Sequence, residues 1–567
     1  MDKKIIVNFD YRATRVAVME DHKLVELYIE RPLQNRVVGN IYKGIVVNVL
    51  PGMQAAFIDI GMEKNAFLYV DDVFSDLGDD GLPASTPNNR RLPIEKLLKA
   101  GEEIMVQVIK EPFGTKGTRV TCSITLPGRY LVLVPGADHV GVSRRIEDQA
   151  EKDRLRQEVL KFKPEEHGLI IRTVAEGATT EMLKKDLQFL LQLWQRVSSR
   201  FQQKEAPVVI YQDLALTSRI ARDLLTDEVN SFLIDNKQEY DRVLEILDYI
   251  SPHLKKKVKL YREQALIFER YGVEKEIQKA LERQVWLKSG GYVVFDETEA
   301  LTVIDVNTGR YTGRRRLRET ILKTNLEAAV EITRQIRLRD IGGIIVIDFI
   351  DMDLEEHRQR VLDRLNQCLK RDRTKTYVLG ITSLGLVEMT RKKVRQDLSA
   401  VLQQPCPHCN GTGRVLTPVV VSTRIEGELK KLLPREKDEA VLIEMHHEVA
   451  ALVIGTGGCH LKKLEEELGK HIFVRGSEDL HMEKYRVVAT GNLEKIKRMA
   501  LPVSPGEAME VLIEEPHTAN SSHGIARLEG YVINVEGAGE AVGQKLNIEI
   551  TEVSRTFARA TIINSGR

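Results

Sequence analysis

The sequence lacks the features that would place it in a membrane or outside the cell. No window of the 567-residue chain approaches a membrane span. The first residues, MDKKIIVNFDYRATRVAV, contain no apolar run long enough for a secretory signal. Five cysteines are too few for a disulfide framework in a chain of this length. We therefore expect a cytoplasmic protein without a membrane segment.

An excess of charge of one sign is also missing. The net charge is +1 although 29% of the residues are charged, so a phosphate-binding surface has to come from local clusters of Lys and Arg. With 42% hydrophobic residues, the chain has ample material for folded cores and is not a disordered protein. Because single cores stop growing well below this length, we expect several domains.

Hydrophobic patterns divide the first half of the chain into segments. The first 38 residues contain two or three alternating strands, which are too few to bury a sheet alone and need a partner segment. Residues 39–124 show five short strands with a polar insertion, which fits a small barrel of the OB type. Residues 125–215 mix strands with two helices, and residues 216–285 are mostly helical by periodicity.

The second half begins with an α/β pattern over residues 281–400. Strands such as LTVIDVN, IIVIDFI and TYVLGIT alternate with helical segments, an order that predicts a mostly parallel sheet. The continuous apolar run IIVIDFI predicts a strand buried on both faces. A knuckle follows at 401–415, then a small α/β module at 416–500. Residues 503–567 again show short strands around Gly-rich turns.

Three polar side chains on these strands form the sharpest candidate site. Asp305 and Asn307 are two residues apart on a strand, so they project to the same face. Asp348 stands near the end of a second strand, where open α/β sheets carry their ligands. Carboxylates on apolar strands need a counter-charge, and Mg²⁺ suits one or two carboxylates plus waters. Alternatively, these aspartates cap turns or pair with a nearby Arg.

The segment Cys406-Pro-His-Cys409-Asn-Gly-Thr-Gly predicts a zinc knuckle. It supplies half a tetrahedral site, because the chain contains no second CxxC. The simplest completion is the same pair from a second subunit, so that a homodimer shares one zinc ion. His408 as a third ligand is an alternative. A redox CxxC is the other, although such motifs usually open a helix in a βαβ context.

Two further patterns bear on phosphate binding. The basic run Arg310–Arg318 directly follows the Asp305/Asn307 strand, so it can position a phosphate backbone or can simply be a solvated face. The sequence Gly455-Thr-Gly-Gly458 follows a predicted strand and opens a helix, the setting of the backbone clamp of KH domains, although GxxG alone is a weak signal.

Two aromatic side chains are candidates for contact with bases. Phe57 and Phe67 lie on successive strands of the predicted barrel, with Lys43 and Lys116 near in sequence. Exposed aromatics on an OB barrel stack single-stranded bases. Core packing is the simpler explanation for either Phe taken alone.

Taken together, these segments resemble the ribonuclease E/G family over nearly the whole chain. The resemblance rests on motifs in the family's order: GNIYKG, AAFIDIG, LPGRYLVLVP, GVSRRIE, GLIIRT, IDVN, KTNLEAA, RLRDIGGIIVIDFIDM, GLVEMTR and CPHCNGTG. It implies a multidomain α/β and β fold. The expected parts are an RNase H-like subdomain (1–38 with 216–280), an S1 domain of OB fold (39–124), a 5′-monophosphate sensor (125–215), a DNase I-like catalytic subdomain (281–400), the zinc link (401–415), a small KH-like domain (416–500) and a TRAM-like β-barrel (503–567).

The resemblance also implies an activity and its residues. The expected enzyme is a single-strand-specific endoribonuclease that cuts A/U-rich RNA, leaves 5′-monophosphate ends, and acts in rRNA processing and mRNA decay. By match to the family, the residues expected to act are Asp305 and Asp348 as Mg²⁺ ligands, Asn307 as an orienting group, Phe57, Phe67 and Lys116 as the RNA-binding face, Gly128, Val132, Arg172 and Thr173 as the 5′-phosphate pocket, and Cys406 and Cys409 as the zinc link of two protomers.

Two departures from the family pattern bear on which partners we expect. The long disordered tail of ribonuclease E is missing, which favours the ribonuclease G type, so we do not expect a degradosome scaffold among the partners. The Arg310–Arg318 run is more basic than the family pattern, so the path of RNA there can differ. The expected partners are single-stranded RNA and a second copy of the chain, with pairing of dimers left open. The rival hypothesis is a catalytically silent RNA-binding protein.

Overall fold

The computed structural model describes residues 2–31, 37–73, 92–111, 117–309, 317–382, 384–433, 438–517, 520–528, 531–555 and 557–563. The chain forms two compact units, residues 1–402 and residues 403–567. Within the described residues, every helix is too short or too polar to cross a bilayer. The cores of both units are built from Ile, Val, Leu and Ala side chains that alternate along strands or recur along helices.

The first unit begins with three antiparallel strands, β1 (Lys3–Phe9), β2 (Thr14–Glu20) and β3 (Lys23–Glu30). The barrel follows with β4 (Ile41–Leu50), β5 (Ala55–Asp59), β6 (Ala66–Tyr69), the short helix α1 (Ile94–Leu97), β7 (Glu103–Lys110) and β8 (Arg119–Thr121). Its order is β4-β5-β6-β8-β7, and pairing of β7 with β4 closes it. The five strands expected for residues 39–124 therefore form a closed barrel.

The next segment is a four-stranded sheet with two helices. Its elements are β9 (Leu126–Pro127), β10 (Leu131–Pro135), β11 (Val140–Val142), α2 (Gln149–Leu160), β12 (His167–Ile171), α3 (Thr180–Gln203) and β13 (Val208–Tyr211). The side chain of Asp148 caps α2, and that of Thr179 caps α3. Strand β13 leaves this segment and pairs with β4 of the barrel.

Residues 216–281 hold α4 (Leu216–Leu224), β14 (Ser231–Ile234), α5 (Lys237–Ile250), β15 (Val258–Leu260), α6 (Ile267–Arg270) and α7 (Val273–Leu281). The two strands complete the N-terminal sheet in the order β15-β14-β1-β2-β3, with β14 parallel to β1. This pairing supplies the partner that the first three strands lack. Helical periodicity missed β14, because its four residues are all buried and carry no alternation.

The last part of the first unit carries the predicted catalytic strands. It contains β16 (Gln284–Trp286), β17 (Tyr292–Glu297), β18 (Leu301–Asn307), α8 (Leu317–Arg339), β19 (Gly343–Asp348), α9 (Glu355–Leu369), β20 (Thr376–Ile381), β21 (Leu386–Arg391) and α10 (Leu398–Leu402). The strands form one sheet in the order β16-β17-β18-β19-β21-β20.

Two expectations for this sheet were wrong. Among the described strands of this sheet, only β18 and β19 pair in parallel. Strands β16 to β18 and β20 to β21 follow one another as antiparallel hairpins, and β21 is also antiparallel to β19. Strand β19 is buried on one face only. Ile345 and Ile347 are fully buried in the core that includes α8 and α9, whereas Ile344 is 51% exposed. The sheet therefore has an open face.

The second unit has an α/β part and a β part. The first contains α11 (Pro418–Leu432), β22 (Ala440–His446), α12 (His447–Ile454), α13 (Cys459–Leu468), β23 (His471–Ser477), β24 (Tyr485–Gly491) and α14 (Leu493–Ala500). Strand β22 lies in the centre, parallel to β23 and antiparallel to β24. The glycine motif Gly455–Gly458 lies between α12 and α13, so it follows a helix and not the strand that the sequence analysis expected.

The β part contains β25 (Ala508–Leu512), β26 (Glu515–Pro516), β27 (Gly524–Leu528), β28 (Tyr531–Glu536), β29 (Lys545–Val553) and β30 (Phe557–Ile562). They form one sheet in the order β25-β29-β30-β28-β27-β26. Their inward residues, among them Val511, Ile533, Val535, Ile548 and Ile550, share one apolar core.

Candidate functional site

The two predicted metal-binding aspartates lie directly opposite each other on neighbouring strands. The parallel register of β18 and β19 pairs Asp305 with Asp348. Their sequence neighbours Ile304 and Ile347 are fully buried, so alternation places both carboxylates on the open face of the sheet. Two negative charges at one register position repel each other, and they remain together only because the strands on which they lie are packed beneath them.

Asn307 completes this group. It lies two residues after Asp305 on the same strand, and its Nδ2 donates a 2.7 Å hydrogen bond to Oδ2 of Asp305. Within the described residues, the amide occupies one carboxylate oxygen and the other has no hydrogen bond, so the direction in which Asp305 faces is set by Asn307. The structure therefore brings together all three residues that the sequence analysis placed at this site.

The environment of Asp348 contains a third carboxylate. Burial raises the pKa of Asp348, and the charges of Asp305 and Asp351 raise it further. The loop that carries Asp351 is held by Asn325 of α8, whose side chain donates to the Ile350 carbonyl at 2.8 Å and accepts from the Ile350 N–H at 3.2 Å. Sequence reasoning singled out neither Asp351 nor Asn325. A second acid in the IDFID motif and a polar residue inside KTNLEAA were the available signals.

The donor chemistry of the group fits a hard divalent cation. Within the described part of the chain, Asp305 and Asp348 form no ion pair with Lys or Arg, so the alternative of pairing with a nearby Arg is not realised there. Oxygen donors from carboxylates, with space for water on an exposed face, are the ligands that Mg²⁺ uses. Asp305 and Asp348 would hold such an ion, and Asn307 would keep Asp305 turned toward it.

The basic run next to this site is described only at its end. Residues 310–316 lie outside the described residues. Arg318, at the start of α8, forms an exposed ion pair with Asp353 at 3.3 Å. Exposed pairs of this kind contribute little to stability, so Arg318 keeps its capacity to bind a phosphate.

The barrel presents Phe57 and Phe67 on its outer surface. They are cross-strand partners, and their ring centroids lie 6.0 Å apart at an interplanar angle of 70°. The alternate residues Ile58 and Leu68 fill the barrel core, so core packing does not explain the two aromatic rings. Arg119, which the sequence analysis did not single out, lies opposite Phe67 and pairs with Asp72 at 2.7 Å.

The structure describes only one of the two lysines that were expected near these rings. Lys116 lies outside the described residues. Lys43 is buried, donates to the carbonyl of Lys204 at 2.9 Å and pairs with Glu103 at 2.7 Å. Lys43 therefore ties the barrel to the end of α3 and is not placed to meet RNA beside the phenylalanines.

The four residues expected to sense a 5′-phosphate gather around β10 and β12. Arg172 follows β12, and its Nη1 donates to the Gly128 carbonyl and, at 2.8 Å, to Asp223. Thr173 shares a 2.9 Å hydrogen bond with Ser143. Val132 lies on β10 opposite Ile170, which belongs to β12, the strand that ends directly before Arg172. A guanidinium and a hydroxyl beside an apolar wall can bind a terminal phosphate.

A buried carboxylate holds the turn that contains Gly128. Asp186 of α3 is 3% exposed and accepts the backbone N–H groups of Arg129, Tyr130 and Leu131 at 3.0, 2.8 and 2.9 Å. Burial raises the pKa of Asp186, and these three donors act in the opposite direction. A Cβ atom at Gly128 would lie 2.6 Å from the Asp186 carboxylate, so this position requires glycine. Asp186 is 57 residues from Arg129 in sequence, so no local pattern indicated that Asp186 holds this turn.

The cysteine knuckle forms a compact turn in the second unit. Sγ of Cys409 accepts the Gly413 N–H at 3.2 Å, and this bond lowers the pKa of the Cys409 thiol. Within the described residues, no third His, Cys, Asp or Glu joins Cys406 and Cys409 in a ligand group, so His408 does not complete the set. The pair has the chemistry of half a zinc site.

Comparisons with known proteins agree with this architecture. Residues 125–394 match the model of the Ribonuclease E/G family, residues 405–490 that of an RNase E/G thioredoxin-like domain, and residues 502–563 that of the TRAM domain. The part at 416–500 was expected to be KH-like. It is a small α/β domain as expected, but the match describes it as thioredoxin-like, and we do not carry the KH assignment further.

Curated relatives match over most of the chain. Ribonuclease G of Salmonella typhimurium is 42% identical over 492 residues, which cover 86% of this chain and 100% of that protein. Ribonuclease G of Haemophilus influenzae is 43% identical over 487 residues, covering 86% and 99%. Ribonuclease E of a Nostoc species is 38% identical over 431 residues, covering 74% of this chain and 60% of that protein.

Paired carboxylates on the open face of a sheet, together with a barrel that carries two half-buried aromatic rings on its outer face, define a nuclease-like architecture. The chain belongs to the ribonuclease E/G family, which confirms the resemblance drawn from its motifs and makes it an endoribonuclease.

Proposed function

We propose that the chain is a cytoplasmic, Mg²⁺-dependent endoribonuclease, specific for single strands, that cuts A/U-rich RNA and leaves 5′-monophosphate ends in rRNA processing and mRNA decay. The observation that carries the proposal is the register of Asp305 against Asp348 with Asn307 bonded to Asp305. No other carboxylate pair described above combines exposure, repulsion and a fixed orientation in this way.

In the proposed reaction, the residues of the chain position the metal ion and the RNA. When bound, Mg²⁺ supplies charge stabilisation to the scissile phosphate and lowers the pKa of a coordinated water. Asp305 and Asp348 would hold the ion, and Asn307 keeps the Asp305 carboxylate in one orientation. Attack by water that releases the 3′-oxygen leaves the phosphate on the 5′ end of the downstream product.

RNA binding is proposed at three places. Phe57 and Phe67 stack bases on the outer face of the barrel, with Lys116 and Arg119 near their strands in sequence or register. Arg172 and Thr173, with Gly128 and Val132, receive the 5′-monophosphate of the substrate. The sheet of residues 502–563, which matches the TRAM domain, adds a further RNA-binding surface.

We also propose that the working unit is a homodimer that shares one zinc ion between Cys406 and Cys409 of each copy. Apolar side chains on the open face of the catalytic sheet support self-association, because Ile344, Tyr377 and Leu379 are 51%, 55% and 72% exposed. Chelation or Cys406→Ser should split the dimer on sizing. An unchanged oligomer would refute the shared zinc, and a larger wild-type species would indicate pairing of dimers.

One assay tests the activity directly. Purified protein is incubated with an A/U-rich oligonucleotide, with and without Mg²⁺, as wild type, Asp305→Asn and the control Asp353→Asn. We expect cutting only with Mg²⁺, loss of cutting but not of binding in Asp305→Asn, and full cutting in the control. If the wild type leaves the substrate uncut, the proposed activity is refuted and an RNA-binding protein without catalytic activity is favoured.

The same substrate tests 5′-end sensing. Wild type should cut a 5′-monophosphorylated oligonucleotide faster than its 5′-triphosphorylated form, and Arg172→Lys should reduce that ratio, because lysine cannot keep two directed bonds while it binds phosphate. Equal rates on both substrates with wild type would count against the pocket.

A further inference from the structure

A group of potential metal ligands in the second unit is not used by the proposed reaction. His446, His447 and Glu448 each offer one ligand atom, and these atoms lie within 4.8 Å of one another. His446 ends β22 and His447 begins α12. The change from strand to helix gathers the three side chains, because consecutive residues on a continuing strand point to opposite faces.

The hydrogen bonding of the two imidazoles leaves them available to an ion. Nδ1 of His447 is buried and, among the described residues, has no hydrogen-bond partner. A buried polar atom without a partner costs about 1–3 kcal/mol, and coordination would remove that cost. Nδ1 of His446 accepts the Glu448 N–H at 3.4 Å, the long limit of such a bond, so little is lost if the ring turns toward an ion.

Charges of both signs surround the group. The first turn of a helix carries partial positive charge, which acts against a metal ion there. Burial lowers the pKa of His446, while the charges of Glu448, a member of the group, and of Glu478 act in the opposite direction. The charge of His408, in the knuckle, also acts to lower the pKa of His446. The ring of His408 lies 4.2 Å from the ring of His481, centroid to centroid. Imidazoles and carboxylates are therefore concentrated in this part of the second unit.

We propose that His446, His447 and Glu448 bind a transition-metal ion, with Zn²⁺ as the best match, at a site distinct from the Cys406/Cys409 pair. Two imidazoles and one carboxylate form the donor set of open zinc sites, in which water or another ligand takes the fourth position. Imidazole nitrogen also suits Cu²⁺ and Ni²⁺, whereas Mg²⁺ and Ca²⁺ prefer oxygen. The site does not depend on the proposed ribonuclease mechanism.

The test separates this site from the knuckle by removing the thiols first. The full chain is prepared as Cys406→Ser/Cys409→Ser, stripped of metal, and titrated with Zn²⁺ and Co²⁺, with bound metal measured by elemental analysis. We expect one Zn²⁺ per chain and a Co²⁺ spectrum without the thiolate charge-transfer band. Adding His446→Gln/His447→Gln should weaken Zn²⁺ binding by about 10- to 100-fold or more.

Two controls keep the result decisive. Adding Glu448→Gln instead removes one ligand without altering the imidazoles and should also weaken Zn²⁺ binding. Adding His253→Gln removes an exposed histidine of the first unit and should leave it unchanged. The proposal is overturned if the thiol-free chain retains no Zn²⁺. It is equally overturned if the His446/His447 variant binds as tightly as its parent, or if His253→Gln weakens binding as much.

Discussion

Gly128→Ala tests the turn that holds the proposed 5′-phosphate pocket. The new Cβ would lie 2.6 and 2.7 Å from the two carboxylate oxygens of Asp186. Carbon and oxygen do not approach that closely, so either the carboxylate or the backbone at 128 has to move. Because Asp186 accepts three backbone N–H bonds from the residues after Gly128, neither can move without weakening them.

The size of the effect follows from those contacts. Overpacking of a buried position costs about 1–3 kcal/mol, and loss of one hydrogen bond to a charged group about 1.5–3 kcal/mol. We expect partial relief of each and a local loss of about 2–4 kcal/mol, which is a large part of the stability of a domain. The Gly128 carbonyl also accepts from Arg172, so the guanidinium shifts with the turn.

Amide hydrogen exchange measures this loss where it occurs. The N–H groups of Arg129, Tyr130 and Leu131 should exchange about 30- to 1,000-fold faster in Gly128→Ala than in wild type, since each 1.4 kcal/mol is a factor of ten. The preference for a 5′-monophosphate over a 5′-triphosphate should fall in parallel.

Gly52→Ala is the matched control, because nothing lies within 4 Å of a Cβ there. If Gly128→Ala and Gly52→Ala exchange alike at these three amides, Asp186 does not hold the turn and the reasoning fails. If exchange accelerates but the 5′-end preference stays intact, the turn is structural and the sensing pocket lies elsewhere.

Three further predictions concern charge and backbone. Asp348→Asn should raise the thermal unfolding midpoint of the metal-free protein, because it removes the charge that faces Asp305, while Mg²⁺-dependent cutting is lost. Since the folded-state pKa of Asp348 is raised, its carboxyl favours the folded chain at low pH and loses that contribution as pH rises through this pKa. Thermal unfolding of both chains across pH should therefore show their midpoints diverge as pH rises, and a constant gap would contradict the repulsion. Arg391→Met should lower the free energy of unfolding in a urea titration by about 3–5 kcal/mol, because it leaves the carboxylates of Asp340 and Asp372 buried without this partner. A loss below about 1 kcal/mol, the range of a surface pair, would refute that account. Gly427→Ala on α11, with open space around the new Cβ, should raise the free energy of unfolding by about 0.5–1 kcal/mol, and a decrease would contradict it.

The sequence predicted that Asp305, Asn307 and Asp348 lie together because the information for this grouping is local. Asp305 and Asn307 share a face by strand alternation, and the buried neighbours of Asp348 identify its strand. Alternation likewise indicated the five strands of the barrel. The prediction that the knuckle supplies half a zinc site followed from counting cysteines.

What the sequence did not predict depends on residues far apart. The sheet that carries Asp305 and Asp348 was expected to be mostly parallel, but β20 and β21 form a hairpin and β21 lies between β19 and β20. No local pattern states which strand edge a hairpin joins. The same holds for three contacts that join residues 25 to 57 apart in sequence: Asp186 with Arg129, Asp223 with Arg172, and Asn325 with Ile350.

The register of β18 against β19 also guards against misfolding. A slip of β19 by one residue would turn its faces over, so that Asp348 entered the core against α8 while Ile347 met solvent. Burying a lone carboxylate costs several kcal/mol, and exposing the isoleucine adds to it. A chain with the wrong register is therefore unstable as well as inactive, and the charge that the proposed chemistry needs also helps the sheet to select its own alignment.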